Sequence, residues 1–244
     1  MIRTIVMLGF WVACLPFTAL LCFPYALLTG NVMLLYRVGM WCAYTGVWLA
    51  GVRLELVGLE KLDVRKTAYI FMANHTSNLD PPLLIPKIPG RTSVMAKQEV
   101  FDYPILGYAM RMVSIVPVDR GNREAGIAAV QAAKRVVEQG VSMTIFIEGK
   151  RSYDGKLLPF KKGPFYLAME CGAPIVPITI VGSHYVMPKK RFAIKPGKVM
   201  AIFHEPVDPK QFSDRDALML AVREKINAGL PSELREEAAS ASAS

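Results

Sequence analysis

Two long apolar runs occupy the front of the chain, before any regular alternation of apolar and polar residues begins. The first covers residues 5–28 and the second residues 32–50, with only the Thr-Gly-Asn of residues 29–31 between them. At about 1.5 Å per residue, each run is long enough, or nearly so, for a helix to cross a hydrocarbon core of about 30 Å. The pattern predicts a membrane-embedded hairpin of two helices over residues 1–53.

The way this hairpin meets the membrane stays open at this level. Pro16 and Pro24 are expected to bend the first helix, and the guanidinium of Arg37 is costly in hydrocarbon unless it reaches the interface or a lipid phosphate. Both features favour a partly embedded pair in one leaflet over two straight spans, and a pair of buried core helices is the remaining alternative. In either membrane topology Arg3 and Arg53 share one side, which the positive-inside rule makes cytoplasmic.

From about residue 54 to residue 230 the pattern changes to short apolar strands that alternate with amphipathic stretches. This alternation predicts an α/β domain with a mostly parallel sheet flanked by helices. The predicted strands are residues 68–73, 113–118, 142–147, 175–181 and 199–204, and the predicted helices are residues 124–139, 163–170 and 214–228. Residues 231–244 end in Ala-Ser repeats and are expected to form a disordered tail.

The composition narrows the class of partner. Twenty-nine Lys and Arg against 20 Asp and Glu give a net charge of +9. Residues 1–54 contain no Asp or Glu. Such a charge favours anionic partners, namely phospholipid headgroups, phosphorylated metabolites or nucleic acid. The apolar front argues against nucleic acid. The four cysteines form no C-x-x-C pair and are expected to be packing residues.

Three polar clusters directly follow predicted strands. They are residues 74–80 (Asn-His-Thr-Ser-Asn-Leu-Asp), 119–123 (Asp-Arg-Gly-Asn-Arg) and 148–152 (Glu-Gly-Lys-Arg-Ser). The carboxyl ends of parallel strands meet at one edge of a sheet, where binding sites gather. The sequence therefore predicts one cleft that holds an imidazole, carboxylates and several guanidinium groups.

His75 and Asp80 are the strongest candidates for chemistry in that cleft. Pro81 suits the first turn of a helix with Asp80 at or near its N-cap, and such a bend can return the carboxylate to one nitrogen of His75. The contact would leave the other nitrogen free to take a proton from a hydroxyl. The alternative is a helix-capping Asp80 beside a turn histidine. No G-x-S-x-G elbow is present and the histidines lack metal-ligand spacing, which favours activation of the substrate's own hydroxyl.

Over residues 55–205 the chain resembles the glycerophospholipid acyltransferases, and most closely the bacterial 1-acyl-glycerol-3-phosphate acyltransferases. The four ordered motifs that carry this resemblance are Asn74-His75-x₄-Asp80, Arg120-Gly121, residues 146–152 and residues 176–178. The resemblance implies transfer of an acyl chain from acyl-CoA or acyl carrier protein to the sn-2 hydroxyl of 1-acyl-glycerol 3-phosphate. It implies phosphatidic acid as product, no acyl-enzyme and no cofactor. It also implies an enzyme of the inner membrane whose catalytic domain lies on the cytoplasmic face.

The resemblance also implies residue roles. His75 becomes the general base and Asp80 its orienting partner, and Lys97 resembles the lysine that holds phosphate in such enzymes. The remaining predicted substrate-binding residues are Arg120, Glu148, Gly149, Lys150 and Arg151. The alternative for Glu148 is a structural ion pair. The basic residues 161–162 and 189–191 are expected either to contact anionic lipid or to form a solvated surface.

Two positions depart from the family pattern. Ile147 stands where Pro is usual, which is expected to relax the backbone before Glu148. Lys150 stands where Thr is usual and adds a cation beside Arg151. The identity of the acceptor therefore stays open between lysophosphatidic acid, another lysolipid and glycerol 3-phosphate. A non-catalytic membrane lipid-binding protein is the alternative from another class.

Overall fold

The computed structural model describes residues 1–119 and 122–236, and its centre is a seven-stranded sheet. The strands are β1 (Val52–Val57), β2 (Ile70–Ala73), β3 (Thr92–Lys97), β4 (Val116–Val118), β5 (Ser142–Phe146), β6 (Ile175–Val181) and β7 (Gly197–Phe203). The α-helices of the described residues are α1 (Ile2–Thr29), α2 (Met33–Leu49), α3 (Asp80–Leu84), α4 (Pro104–Met112), α5 (Arg123–Glu138), α6 (Gly163–Cys171), α7 (Ser183–Val186) and α8 (Arg215–Ala228). The predicted α/β class is confirmed.

The strand order across the sheet is β1-β7-β6-β2-β5-β3-β4. The five strands from β6 to β4 are parallel, whereas β7 runs antiparallel to β6 and β1 runs parallel to β7. The sheet is thus mostly parallel, as predicted, with a reversed pair at one side. The carboxyl ends of the five parallel strands lie along one edge, which is the edge that the polar clusters follow.

Two strands were missing from the prediction, and one was too long. β1 alternates buried and exposed residues and carries Arg53 and Glu55, so it presents no apolar run. β3 begins with buried Thr92 and Ser93, whose hydroxyls donate to the backbone carbonyls of distant residues. Residues 113–115 were predicted as strand but form the end of α4 and a turn, so β4 covers only three residues.

Helices cover both faces of the sheet, and the alternation along β2 divides the core in two. Phe71 faces the side of α3 and the α1–α2 pair, where it packs in a cluster with residues such as Val47 and Leu83. Ile70 and Met72 face the other side, where the apolar residues of α5, α6 and α8 collect.

The α1–α2 pair lies along the domain. α1 is continuous through Pro16 and Pro24, has a mean hydropathy of 2.3 in its most apolar window and is the one described helix long and apolar enough to cross a membrane. Only 11% of that window is buried, which for α1 argues against the alternative of a pair of buried core helices. Near its start the hydroxyl of Thr4 donates to the carbonyl of Phe192, and near its end Phe23 packs edge-on against Tyr108 of α4.

The C-terminal boundary of the domain lies later than the sequence indicated. Residues 231–236, which were expected to belong to the tail, pack on the domain: Leu234 joins the core under α8, and Glu236 forms an ion pair with Arg223. A single leucine gives no periodic pattern, so the sequence offered no signal for this contact. Residues 237–244 lie outside the described residues.

Candidate active site

The predicted site residues follow the carboxyl ends of neighbouring parallel strands. His75 comes two residues after β2, Glu148 two residues after β5, and Lys97 is the last residue of β3. The expected convergence at one edge of the sheet is therefore present. Arg120, which follows β4, lies outside the described residues.

His75 and Asp80 form the contact that their spacing predicted. The Nδ1 atom of His75 lies 2.8 Å from Oδ2 of Asp80, and both residues are buried. A carboxylate only accepts hydrogen bonds, so Nδ1 carries the proton and Nε2 is left as the basic nitrogen. No hydrogen bond to Nε2 occurs within the described residues. The pair therefore has the arrangement of a base with its orienting group.

The carboxylate of Asp80 is held by the loop rather than by its helix. Oδ2 also accepts hydrogen bonds from the backbone N–H groups of Thr76 and Ser77, each at 2.8 Å. These residues precede α3, so Asp80 does not cap the helix that it begins, and the helix-capping alternative is wrong. The imidazole of His75 also packs on the ring of Phe146, with 4.5 Å between ring centroids, and this contact restricts the orientation of the imidazole.

Strand β6 and the start of α7 fix the backbone on either side of His75. The side-chain amide of Asn74 donates to the carbonyl of Ile180 and accepts from the N–H of the same residue, at 3.0 and 2.7 Å. Thr76 and Ser183 share a hydrogen bond of 2.5 Å between their hydroxyls. The loop after β2 is therefore tied to β6 and to the residues that follow it. This role of Ser183 was not predicted, because the two hydroxyls lie 107 positions apart.

Glu148 is a buried carboxyl without a partner among the described residues. It is 1% exposed, and neither carboxylate oxygen accepts a hydrogen bond within residues 1–119 and 122–236. Burial raises the pKa of Glu148 to about 8, with the charge of Asp80 adding to this effect, while the nearby N–H groups of Leu158 and His75 and the charge of Arg223 oppose it. Glu148 forms no ion pair in the described part of the chain. Because burial raises its pKa, this carboxyl can hold a proton and donate a hydrogen bond.

Ile147 holds the backbone before Glu148 more firmly than the sequence suggested. Its N–H donates to the carbonyl of Ala73 at 3.1 Å and so extends the pairing of β5 with β2. Proline, which is usual at this position in the family, has no N–H to donate. This bond opposes the expected relaxation of the backbone, which remains a prediction. The turn that follows is closed by Gly149, whose N–H donates to the carbonyl of Phe146 and whose φ of 69° suits glycine.

The loop that carries Lys150 and Arg151 is anchored from the opposite side. Lys150 is exposed and Arg151 half-buried, and the ammonium of Lys189 donates to the backbone carbonyl of Arg151 at 2.9 Å. The same ammonium lies 3.8 Å from the ring centroid of Tyr153. Lys189 thus contacts the loop of Arg151 and does not lie only on a solvated or lipid-facing surface.

Two further residues at this edge differ in their surroundings. Lys97 is exposed and forms an ion pair with Glu99, so its ammonium is accessible from solvent. His184 is buried, its Nε2 has no partner among the described residues, and burial lowers its pKa. The ring of His184 packs against Gly155, where a Cβ would lie 2.8 Å from Cε1. The sequence contained no signal for this contact.

Comparisons with known proteins agree on one family. The acyltransferase family model matches residues 53–181, which is more than half of the chain. A 1-acyl-sn-glycerol-3-phosphate acyltransferase of Limnanthes alba is 36% identical over 66% of this chain and 57% of its own length. A probable 1-acyl-sn-glycerol-3-phosphate acyltransferase of Mycoplasma pneumoniae is 32% identical over 72% of this chain and 69% of its own length.

A solved structure shares the whole fold. The crystal structure of the 1-acyl-sn-glycerophosphate acyltransferase from Thermotoga maritima matches with a TM-score of 0.79 and 28% identity, covering 93% of both chains. The chain nevertheless spans little more than half of the Limnanthes relative that it matches. The predicted family resemblance is confirmed by the extent of the family match, and the chain belongs to the acyltransferase family.

Proposed function

We propose that the protein transfers an acyl chain from an acyl thioester to the sn-2 hydroxyl of 1-acyl-glycerol 3-phosphate, giving phosphatidic acid and a free thiol. The hydrogen bond of 2.8 Å between His75 and Asp80 carries this proposal, because it leaves a basic nitrogen at the edge of the sheet. The names of the Limnanthes and Mycoplasma relatives support the choice of acceptor.

The reaction needs no enzyme nucleophile. Nε2 of His75 takes the proton of the acceptor hydroxyl as its oxygen attacks the thioester carbonyl, and the charge of Asp80 stabilises the imidazolium that results. The tetrahedral adduct then expels the thiolate, which takes the proton from the imidazolium. The ester bond forms as the thioester bond breaks, and His75 returns to its neutral state.

The acceptor phosphate needs cations, and the loops at this edge supply them. Arg151 offers paired hydrogen bonds to phosphate oxygens, and Lys97 and Lys150 supply point charges. Arg120 completes the proposed set from the family motif. Glu148, whose pKa is raised by burial, donates to an oxygen of the acceptor's glycerol.

The membrane supplies the acceptor and receives the product. Acyl chains leave a bilayer at a cost of about 0.8 kcal/mol per CH₂, so the site must open at the membrane surface. The exposed apolar surface of α1 supports membrane association, and its contacts with the domain at both ends favour a pair embedded in one leaflet. The flanking Arg3 and Arg53 support a location of the domain on the cytoplasmic face of the inner membrane.

The test compares the wild type with His75→Ala, in detergent, using lysophosphatidate and either acyl-CoA or acyl carrier protein as donor. Thiol release and lipid product are both measured. We expect wild-type phosphatidate formation and a loss of about 100-fold or more in the variant. His204→Ala is the matched control, because that imidazole bonds to Thr179 away from the site.

Other outcomes separate the alternatives. If the wild type is active with glycerol 3-phosphate or another lysolipid but not with lysophosphatidate, the role of His75 as base is retained. Only the proposed acceptor is then wrong. If wild type and variant are both inactive with a panel of donors and acceptors but still bind lipid, a non-catalytic lipid-binding protein is favoured instead.

A further inference from the structure

A groove of about 350 Å³ lies between α2 and the segment that follows α3, away from the proposed catalytic residues. One wall is formed by α2, with Arg37, Met40, Trp41 and Tyr44, and the other by residues 86–90. None of His75, Asp80, Glu148 or Arg151 lines it, so it is a separate feature of the surface.

Two cations meet in this groove without a carboxylate. Arg37 makes no hydrogen bond or ion pair within the described residues. The ammonium of Lys87 lies over the ring of Tyr44, 3.5 Å from its centroid, and no ion pair within the described residues involves it. No acidic residue lines the groove, and none occurs in residues 1–54. The residues that line the groove therefore carry a net positive charge that no carboxylate among them balances.

The same groove has an apolar wall that continues onto the surface of the helix pair. The side chain of Trp41 is 60% exposed and packs against Phe10 of α1, with 5.9 Å between ring centroids. Met40 lies beside it. Aromatic side chains next to Lys and Arg are typical of the boundary between hydrocarbon and headgroups. A guanidinium within an apolar segment is stabilised there by pairing with a lipid phosphate.

We propose that this groove binds an anionic glycerophospholipid of the membrane, in addition to the acceptor bound at the sheet edge. Arg37 and Lys87 hold oxygens of its phosphate, and one acyl chain lies along Met40 and Trp41. Two cations without a carboxylate match a headgroup with net negative charge better than a zwitterionic one. The inference rests on the proposed function only for the location of the protein at a membrane.

The test uses the full chain in detergent, titrated with short-chain phosphatidylglycerol or phosphatidylcholine, without an acyl donor. Tryptophan fluorescence follows binding, because Trp41 lines the groove. We expect saturable binding of phosphatidylglycerol, and an affinity at least about tenfold lower for the double variant Arg37→Gln with Lys87→Gln. The matched control, Lys61→Gln with Lys66→Gln, removes two exposed cations outside the groove and is expected to bind as the wild type does.

Three results would overturn the proposal. In the first, wild type and double variant bind phosphatidylglycerol with equal affinity; in the second, the wild type binds both lipids with equal affinity. In the third, inorganic phosphate displaces bound phosphatidylglycerol as effectively as added lipid does. Thermal unfolding of each variant checks the fold, and the single variant Lys87→Gln serves if the double variant is unstable. Because no acyl transfer is measured, failure of the proposed enzyme activity would leave this result unaffected.

Discussion

The backbone N–H of Ser152 donates to the carbonyl oxygen of His75 across 2.8 Å. This bond joins the loop after β5 to the loop after β2, so the proposed base and the loop that carries Arg151 share one backbone frame. Ser152 is fully buried, and its hydroxyl donates to Asp154 in the same loop. Changes that displace one of these loops are therefore expected to alter both acceptor binding and catalysis.

Replacing Asp80 with Asn should lower kcat by about 100-fold or more. The amide oxygen can still accept from the N–H groups of Thr76 and Ser77, but it has no charge to stabilise imidazolium. Steady-state kinetics with saturating lysophosphatidate measure the effect. Asp63→Asn, which alters an exposed carboxylate paired with Lys66, is the control and should retain wild-type kcat. Equal kcat in the two variants would contradict the role of Asp80.

The stability of the protein should depend on pH through Glu148. Burial raises its pKa to about 8 in the folded state, against an ordinary value of 4.5. Between these values the folded state holds a proton that the unfolded state has lost, so stability falls as pH rises from about 5 to about 8. Glu148→Gln cannot titrate. Its Tm should therefore fall less than that of the wild type over this range, and parallel Tm curves would refute the prediction.

Lys189→Met should raise the KM for lysophosphatidate by about tenfold and leave the KM for the thioester unchanged. The reason is that the ammonium no longer holds the carbonyl of Arg151. Lys190→Met is the matched control, since this lysine lies 5.8 Å from the Tyr153 ring centroid and is more exposed. Partial recovery in Lys189→Arg would distinguish positioning from a general loss of fold. An equal KM for lysophosphatidate in the two methionine variants would contradict a positioning role for Lys189.

Gly155→Ala should destabilise the protein more than Gly140→Ala does. Both glycines have positive φ, 87° and 78°, so each alanine costs about 1–2 kcal/mol in backbone energy. A Cβ at Gly140 meets open space, whereas one at Gly155 meets the ring of His184 at 2.8 Å. Denaturant unfolding gives the two values. Equal free energies of unfolding would show that the ring of His184 moves aside without cost.

The contact of His75 with Asp80 was predictable because it is local. Four intervening residues and a following Pro81 determine a turn into a helix, and short-range geometry then returns the carboxylate to the ring. The contact between Lys189 and Arg151 spans 38 positions, and nothing in either local pattern identifies the other residue. Such contacts depend on which loops the sheet brings together.

The missed strand β3 illustrates the same limit within the fold. Its Thr92 hydroxyl bonds to the hydroxyl of Thr144 on β5, and its backbone N–H donates to Tyr36 of α2. These bonds allow a polar sequence to be buried, although its composition resembles that of a loop. Likewise, β7 pairs with β6 in the antiparallel direction, and the spacing of apolar residues does not specify strand direction.

The α1–α2 pair also contributes to the core of the domain. Met7, Val47 and Ala50 belong to the same buried cluster as Val176 and Phe203 of the sheet. Deletion of residues 1–50 would therefore expose one side of this core to solvent. Such a fragment should aggregate on expression, because the apolar helix pair proposed to lie in the membrane is also part of the core of the domain.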